Sequence, residues 1–434
     1  MTSDSATRSH GSAGREQDEL AGYVQRHLKR NFAFLATDFG LFGLGMTFAS
    51  MSTILPAFAE HLGATNLLIG AIPSVMTLGY ALPPLFTANY TERLARKLPF
   101  ILLWTIWERV PLIFLAIAAY FFASKSPGGV LIALLVVLAT ISGVGGALTP
   151  AWMDLIGKVI PTNLRGRLFA WGSTFAAGLG LVGAALAGYY LETFEFPLDY
   201  ALCFATGFVF LFVSFFFLAA AKEPSLASSK PHVSLADYIR RLPEILRRDR
   251  NFTWYLGYRG LAVLGSLANG FYTVYALRTL GAPEWHVAQF TFVSLAAQTV
   301  ANLIFGSFAD RFGHKPVLVV GAAAALLGNL VAFFSFRVEL VYFVFIFMAV
   351  ATAAGNVSGL NIAMEFAPPA DRPTYIGLGS TFVAPVAFIS PLIGGLLADS
   401  VSYQAVFALA AVAGLIGALV LGLRVRDPRH ARAS

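Results

Sequence analysis

The chain has 434 residues, of which 57% are hydrophobic and only 12% charged, and its mean hydropathy is +0.70. A water-soluble protein of two or three domains is excluded by that balance, and a membrane protein is indicated. The net charge of +7 is not a nucleic-acid footprint, because 25 of the 30 Lys and Arg residues fall on one side of the membrane once the apolar runs are drawn as spans.

Residues 1–19 are polar, rich in Ser, Gly and charge, and hold no signal-peptide core; they are expected to be disordered. Residues 20–30 set Leu20, Val24 and Leu28 on one helical face beside Arg26, Lys29 and Arg30, the pattern of a short interfacial helix. Twelve apolar runs follow, each near the roughly 20 residues a membrane-spanning helix needs. Six lie at roughly 34–57, 67–88, 99–122, 129–151, 168–190 and 200–221, within a first half of 31–221. Six more lie at roughly 253–277, 286–308, 316–336, 340–363, 374–398 and 403–424, within a second half of 251–424. Barrel strands would be about half as long and would alternate, so helices are expected.

Span one carries Asp38, and a charged loop with Glu92, Arg93, Arg96 and Lys97 follows span two. Span three holds the adjacent pair Glu108 and Arg109, just before Pro111; neighbours on a helix do not face each other, so each needs its own partner. Asp154 lies just past span four. Gly180, Ala184 and Gly188 recur every four residues in span five, a face for close helix packing. The lone cysteine, Cys203, sits in an apolar run, which rules out an internal disulfide. Between the halves, the loop 222–250 carries seven basic residues. Within it, Ser234 and Asp237 resemble a helix start, and Leu235, Tyr238, Ile239, Leu242 and Leu246 form an apolar face, with Pro243 as an interruption; a surface helix is expected, a solvated linker being the alternative.

Span seven carries Arg259, near the depth of Asp38 in span one. Gln298 and Asn302 lie one turn apart in span eight, Asn329 is in span nine, and Asn356, Ser358, Asn361 and Glu365 are in or at the end of span ten. Gln298 and Asn356, nearer mid-membrane, are the better substrate contacts, while Asn302 and Asn329 suit interhelical hydrogen bonding equally well. Trp104, Trp107, Tyr80, Tyr258, Tyr272 and Tyr275 are candidates to line an apolar pocket, although packing is the default for any ring among 39 Phe. The loop after span eight reads Gly306, Asp310, Arg311, Gly313, His314, Lys315, and span eleven contains Ser390, Pro391, Gly394 and Gly395. Residues 425–434 form a basic tail. No phosphate-binding G-x-x-x-x-G-K-[ST] and no Cys/His cluster occurs, so neither an ATP-driven machine, an enzyme, a cofactor nor a metal is indicated.

The two charged loops are copies of each other. Ala88, Glu92, Arg93, Ala95, Arg96 and Lys97 match Gly306, Asp310, Arg311, Gly313, His314 and Lys315 at an offset of 218 residues. Asn31-Phe32 and Asn251-Phe252 open the two halves, Leu62-Gly63 matches Leu280-Gly281, and Glu223-Pro224 and Asp427-Pro428 close them. Pro161, Arg165, Ser173 and Thr174 match Pro368, Arg372, Ser380 and Thr381. Excess Lys and Arg on the side of both termini makes that side cytoplasmic by the positive-inside rule, in a plasma or inner membrane.

Twelve spans in two duplicated sets of six, with this loop in both, resemble the major facilitator superfamily of secondary transporters over nearly the whole chain. The resemblance implies an all-α fold of two pseudo-symmetric six-helix bundles and alternating access to a site near mid-membrane. It implies that Asp310 and its basic neighbours lock the cytoplasmic side shut, with Glu92 a relaxed copy; lipid anchoring by Arg311 and Lys315 is the other reading. Arg96 with Asp154, and Arg311 with Glu365, are the expected partners. Spans one, four, seven and ten are expected to line the cavity and span three to support them. Asp38 and Arg259 then meet across the cavity or bracket a charged substrate, unless Asp38 pairs within its own half or with Arg109. Asp38 is the candidate proton carrier, although span four lacks the arginine and span five the proline that many proton-coupled members carry. Efflux of an amphipathic organic molecule by a monomer, with membrane lipid and protons as further partners, is the expected function. Import of a sugar or other neutral metabolite is the alternative, and a transport-dead sensor or scaffold the alternative of another class.

Overall fold

The computed structural model describes residues 4–225, 246–366 and 372–427. The linker helix expected over 234–246 and the duplicated Pro368 lie outside, or largely outside, the described residues. Those residues fold as helices throughout, with no strand among them. Ten helices are long and apolar enough to cross a membrane: Asn66–Ala88, Leu98–Phe122, Pro127–Val159, Thr162–Thr193 and Leu198–Ala219 in the first half, and Trp285–Phe312, His314–Phe333, Val338–Phe366, Gly377–Ser400 and Tyr403–Arg424 in the second. They correspond to spans two to six and eight to twelve.

Spans one and seven are each broken in two, which their apolar runs did not foretell. Span one is carried by Asp4–Thr47 and Ile54–His61, span seven by Arg250–Gly265 and Phe271–Arg278. The breaks begin 218 residues apart, the offset of the loop copies. Ser50, Ser52 and Thr53 interrupt the first, and the Thr53 hydroxyl donates to Ser50 Oγ at 2.7 Å. Ser266, Asn269 and Gly270 interrupt the second, where Ser266 Oγ donates to the Val263 carbonyl at 2.7 Å. Short hydroxyl and amide side chains offer the backbone local alternatives to the helical ladder, so both helices yield there. The amino-terminal segment departs from expectation as well: a single helix runs from Asp4 into span one, instead of a disordered tail and a separate interfacial helix.

Each bundle is closed at the side of the termini by the same device. Asn31 donates to the Lys222 carbonyl at 3.0 Å and accepts from its amide at 2.9 Å, joining the starts and ends of spans one and six. Asn251 repeats both bonds with Arg426, at 3.0 and 2.7 Å. One carboxamide thus pairs an amide and a carbonyl that have run out of helical partners.

The bundles meet along two seams. Span five packs on span eight through the small-residue face read from the sequence: a Cβ at Gly180 would come 3.2 Å from Leu295, and one at Gly188 3.2 Å from Ala288. Span two packs on span eleven more closely still. A Cβ at Gly395 would lie 2.5 Å from the Asn66 carbonyl oxygen, and one at Gly70 would collide with the Pro391 carbonyl. Only glycine lets the backbones approach this far.

Candidate functional site

Three cavities are lined by residues of spans one, seven, eight and ten, and neighbouring ones share lining residues. The central one, of about 640 Å³, is lined by Phe39, Gly43 and Thr47 of span one, Gln298 and Asn302 of span eight, and Asn356 of span ten. Phe39 and Gly43 also line a cavity of about 330 Å³ inside the first bundle. Asn356 also lines one of about 340 Å³ inside the second. Gln298 and Asn356 both line the central cavity. Asn302 faces the same cavity, and its Oδ1 is buried without a hydrogen-bond partner. Asn361 is turned to its own helix, donating to the Val357 carbonyl at 2.7 Å, and is not among the lining residues. Asn329 is interhelical glue: it accepts from the Tyr272 hydroxyl at 2.8 Å and donates to the Gly265 carbonyl at 3.2 Å.

The first-bundle cavity has a charged wall. Arg109 Nη2 lies 2.9 Å from Asp38 Oδ1, Nε donates to Ser214 Oγ at 3.1 Å, and the guanidinium carbon stands 5.3 Å from the centre of the Phe42 ring. Glu108 Oε2 accepts from Thr105 Oγ1 at 3.0 Å and sits 3.5 Å from Arg109 Nη1. Asp38 is thus paired inside its own half, with Arg109, and does not meet Arg259. Glu108 and Arg109 line the cavity with Asp38 instead of standing behind it. Pro111 contributes to this placement: it has no amide to bond the Trp107 carbonyl, and the helix Leu98–Arg109 ends beside the cavity before Pro111–Phe122 begins. Two carboxylates around one guanidinium leave one formal negative charge in excess, inside an apolar surround where an uncompensated charge is costly.

The second-bundle cavity has the opposite character. Arg259 lines it with Tyr255, Tyr258, Asn269 and Asn356, and neither Asp nor Glu is among its lining residues. Of the aromatic candidates, Tyr80 and Tyr258 line cavities, whereas Trp104 and Trp107 are exposed on the outer surface of the bundle. Tyr272 and Tyr275 are buried in the core and donate to Asn329 and the Ser335 carbonyl.

The two loop copies are built differently. In the first, Lys97 is 0% exposed, and its ammonium donates to the Glu92 and Leu94 carbonyls at 2.9 and 2.7 Å, and also to that of Thr91, capping the helix Pro83–Glu92. The ion pair at Asp154 is to Lys97, at 3.3 Å, where Arg96 was expected; Arg96 is exposed. Glu223 accepts from the amides of Lys97 and Leu98, each at 2.8 Å, and pairs with Lys158 at 3.2 Å, so the carboxylate sits on the amino-terminal end of span three. In the second copy Gly313 has φ +94°, a conformation that demands glycine, and Lys315 donates to the Gly422 carbonyl at 3.2 Å. Asp310 and Arg311 are exposed. Glu365, expected opposite Arg311, has His314 Nε2 at 3.9 Å, and Arg311 stands over the Phe312 ring at 5.2 Å.

At the side of the termini, the hydrogen bonds and ion pairs named above each lie within one half. At the opposite side they cross. Arg278 reaches from span seven to Glu60 Oε1 at 3.1 Å and the Ala64 carbonyl at 2.6 Å. Asp399 accepts from the amides of Asn66 and Leu67 at 3.0 and 2.9 Å, capping span two from the other bundle. Thr53 and Thr291 share a hydrogen bond of 2.6 Å, and Thr273 donates to the Ser52 carbonyl at 2.7 Å. His61 Nε2 meets Glu284 Oε1 at 2.7 Å. No motif in the sequence marks this set.

The model of the Major Facilitator Superfamily matches residues 37–283 and 266–434. The chain belongs to that superfamily. The Tetracenomycin C resistance and export protein of Streptomyces glaucescens is 33% identical over 148 residues, which are 32% of this chain and 26% of that protein. The chain therefore aligns with about a quarter of that relative's length. Multidrug resistance protein 2 of Bacillus subtilis (strain 168) is 23% identical over 381 residues, covering 82% of this chain and 86% of the relative. Among solved structures, a D-xylose-proton symporter superposes with a TM-score of 0.69 at 16% identity, over 92% of this chain and 98% of that one. That likeness establishes the fold of this superfamily member.

Proposed function

We propose that the chain is a secondary active exporter of amphipathic organic molecules, working as a monomer in a plasma or inner membrane with both termini cytoplasmic. The observation that carries this reading is the seal at the side away from the termini, where Arg278 pairs with Glu60 and Asp399 caps span two from the other bundle, with a cavity of about 640 Å³ between residues of both halves. A transporter that alternates by rocking its halves is sealed on one side at a time, and this conformation is then inward-facing. Export, in preference to import, draws support from the two relatives named for export or multidrug resistance.

Protons are the proposed coupling ion. With Asp38 bound to Arg109, the excess negative charge is shared with Glu108, and a proton taken by this pair neutralises it. Purified protein in liposomes, with an imposed pH gradient and a panel of amphipathic dyes, tests both parts. Gradient-driven dye flux that is lost in Asp38→Asn and Glu108→Gln is expected. Dye binding without flux under any gradient would refute the exporter, and flux unchanged by both substitutions and by protonophore would refute the coupling.

A further inference from the structure

Charged groups inside a membrane protein are ordinarily paired or wet, since an isolated one is costly. Arg109 obeys this, with Asp38, Glu108 and Ser214 around it. Arg259 does not. It makes no hydrogen bond or ion pair with any described residue, and its Nη1 is buried without an acceptor. The residues lining its cavity include no carboxylate to supply one. Asp38, the acid at matching depth in span one, is already held by Arg109 at 2.9 Å. The helix around Arg259 leaves room as well as charge: the cavity measures about 340 Å³, and Asn356 lines both it and the central one.

We propose that this cavity is an acid-binding subsite, in which Arg259 takes a carboxylate, sulfonate or similar anionic oxygen group of an amphipathic substrate whose apolar body lies in the central cavity. The inference rests on the reading of the chain as a transporter of such molecules and names the class of group it recognises. A guanidinium presents two parallel N–H donors to such a group, a fork that Lys cannot reproduce. Tyr258 and Asn356 stand beside Arg259 along the cavity wall, and the central cavity, lined by Phe39, Leu295 and Leu303 as well as Gln298, suits a ring system. The opposite wall, with its excess of one carboxylate, disfavours a second acid and favours a substrate whose other end is neutral or basic.

The test uses two probes of one ring skeleton: 1-anilinonaphthalene-8-sulfonate and its uncharged parent, N-phenyl-1-naphthylamine. Their binding to the purified full chain is compared for the wild type, Arg259→Gln and Arg259→Lys. The sulfonate should bind the wild type more tightly, lose about tenfold or more in Arg259→Gln, and lose less in Arg259→Lys, while the neutral probe changes by less than about twofold in either. Thermal unfolding of the two variants should match the wild type, because removing an unpaired guanidinium orphans no partner. Equal losses for both probes, or none for the sulfonate, would overturn the subsite. So would displacement of the sulfonate by chloride or inorganic phosphate at millimolar concentration, which would assign the cavity to a small inorganic anion. Absence of flux with the probe distinction intact would sink the transporter reading and leave the subsite. Flux without the distinction would do the reverse.

Discussion

The two copies of the charged loop have kept their places and exchanged their burdens. The second copy, Gly306 to Lys315, retains both glycines and the aspartate, yet Asp310 and Arg311 are exposed. The first copy has lost both glycines and lengthened its acid, and it is the one built into the bundle: Lys97 is fully buried against three carbonyls and Asp154, with Glu223 over the helix start beside it. Fidelity to a motif and structural investment are therefore separate quantities. A loop that must let go in each cycle keeps its charges at the surface, while a loop that holds helices together buries them. The expectation that the second copy is the stricter lock concerns closure of the side of the termini, whereas the contacts that join the halves in this conformation lie at the opposite side.

Experiments can press on this difference. The largest effect is expected for Lys97→Ala, which removes a buried ammonium from Asp154 and leaves three carbonyls without their donor; it should lower unfolding stability by about 3–5 kcal/mol, measured by denaturant or thermal unfolding in detergent, whereas Lys315→Ala should cost less than about 1 kcal/mol. Equal losses in the two would erase the distinction. Next comes Glu223→Gln, which keeps the shape but removes the charge from a helix start and from Lys158; about 1–3 kcal/mol is expected on the same assay. Gly313→Ala follows, at about 1–2 kcal/mol, since φ of +94° suits only glycine, while Ala95→Gly in the first copy should change stability by about 0.5–1 kcal/mol at most. Asp310→Asn should leave stability within about 0.5 kcal/mol and yet slow dye flux severalfold, more than Glu92→Gln does. A stability loss in Asp310→Asn as large as in Lys97→Ala would show that both copies are structural.

The opposite side of the molecule supplies the smallest effect and a different lever. The His61–Glu284 ion pair holds only while the imidazole carries its proton, so it strengthens the seal at low pH and loses that contribution over the window in which the histidine deprotonates. Labelling of a cysteine placed at Thr53, in a background where Cys203 is Ser, should accelerate on that side as pH rises through this window. His61→Gln should flatten the profile. A profile unchanged by the substitution would remove His61 from the seal.

The length of the apolar runs predicted twelve spanning helices, and ten are found as long apolar helices among the described residues, because length and hydropathy suffice when a helix crosses apolar surroundings. It missed the breaks in spans one and seven, where Ser50, Ser52, Thr53, Ser266 and Asn269 are too few to lower the hydropathy of a run but enough to rewrite its hydrogen bonds. The duplicated Asn31 and Asn251 were visible as a repeat, and their work was not: each bonds a backbone some 190 or 175 residues away along the chain. Site residues were legible as a class, since an ionisable group in an apolar run stands out. Partners were less so. Asp38 had Arg109 and Arg259 as rivals at similar depth, and Asp154 had Arg96 and Lys97, adjacent residues pointing to opposite environments.

What the sequence alone determined is the machine: twelve apolar runs, their charge asymmetry and a loop repeated 218 residues apart define the superfamily's two-bundle architecture, because membrane length and duplication are written locally. What only the tertiary structure decided is the allocation of charge. Arg109 goes to Asp38 and Glu108, Arg278 to Glu60, Lys97 to Asp154, and Arg259 to no residue described. A charge-assisted hydrogen bond needs its heavy atoms within about 3 Å, so a choice between neighbours on one helix turn, or between two helices at one depth, is made by packing and not by spacing.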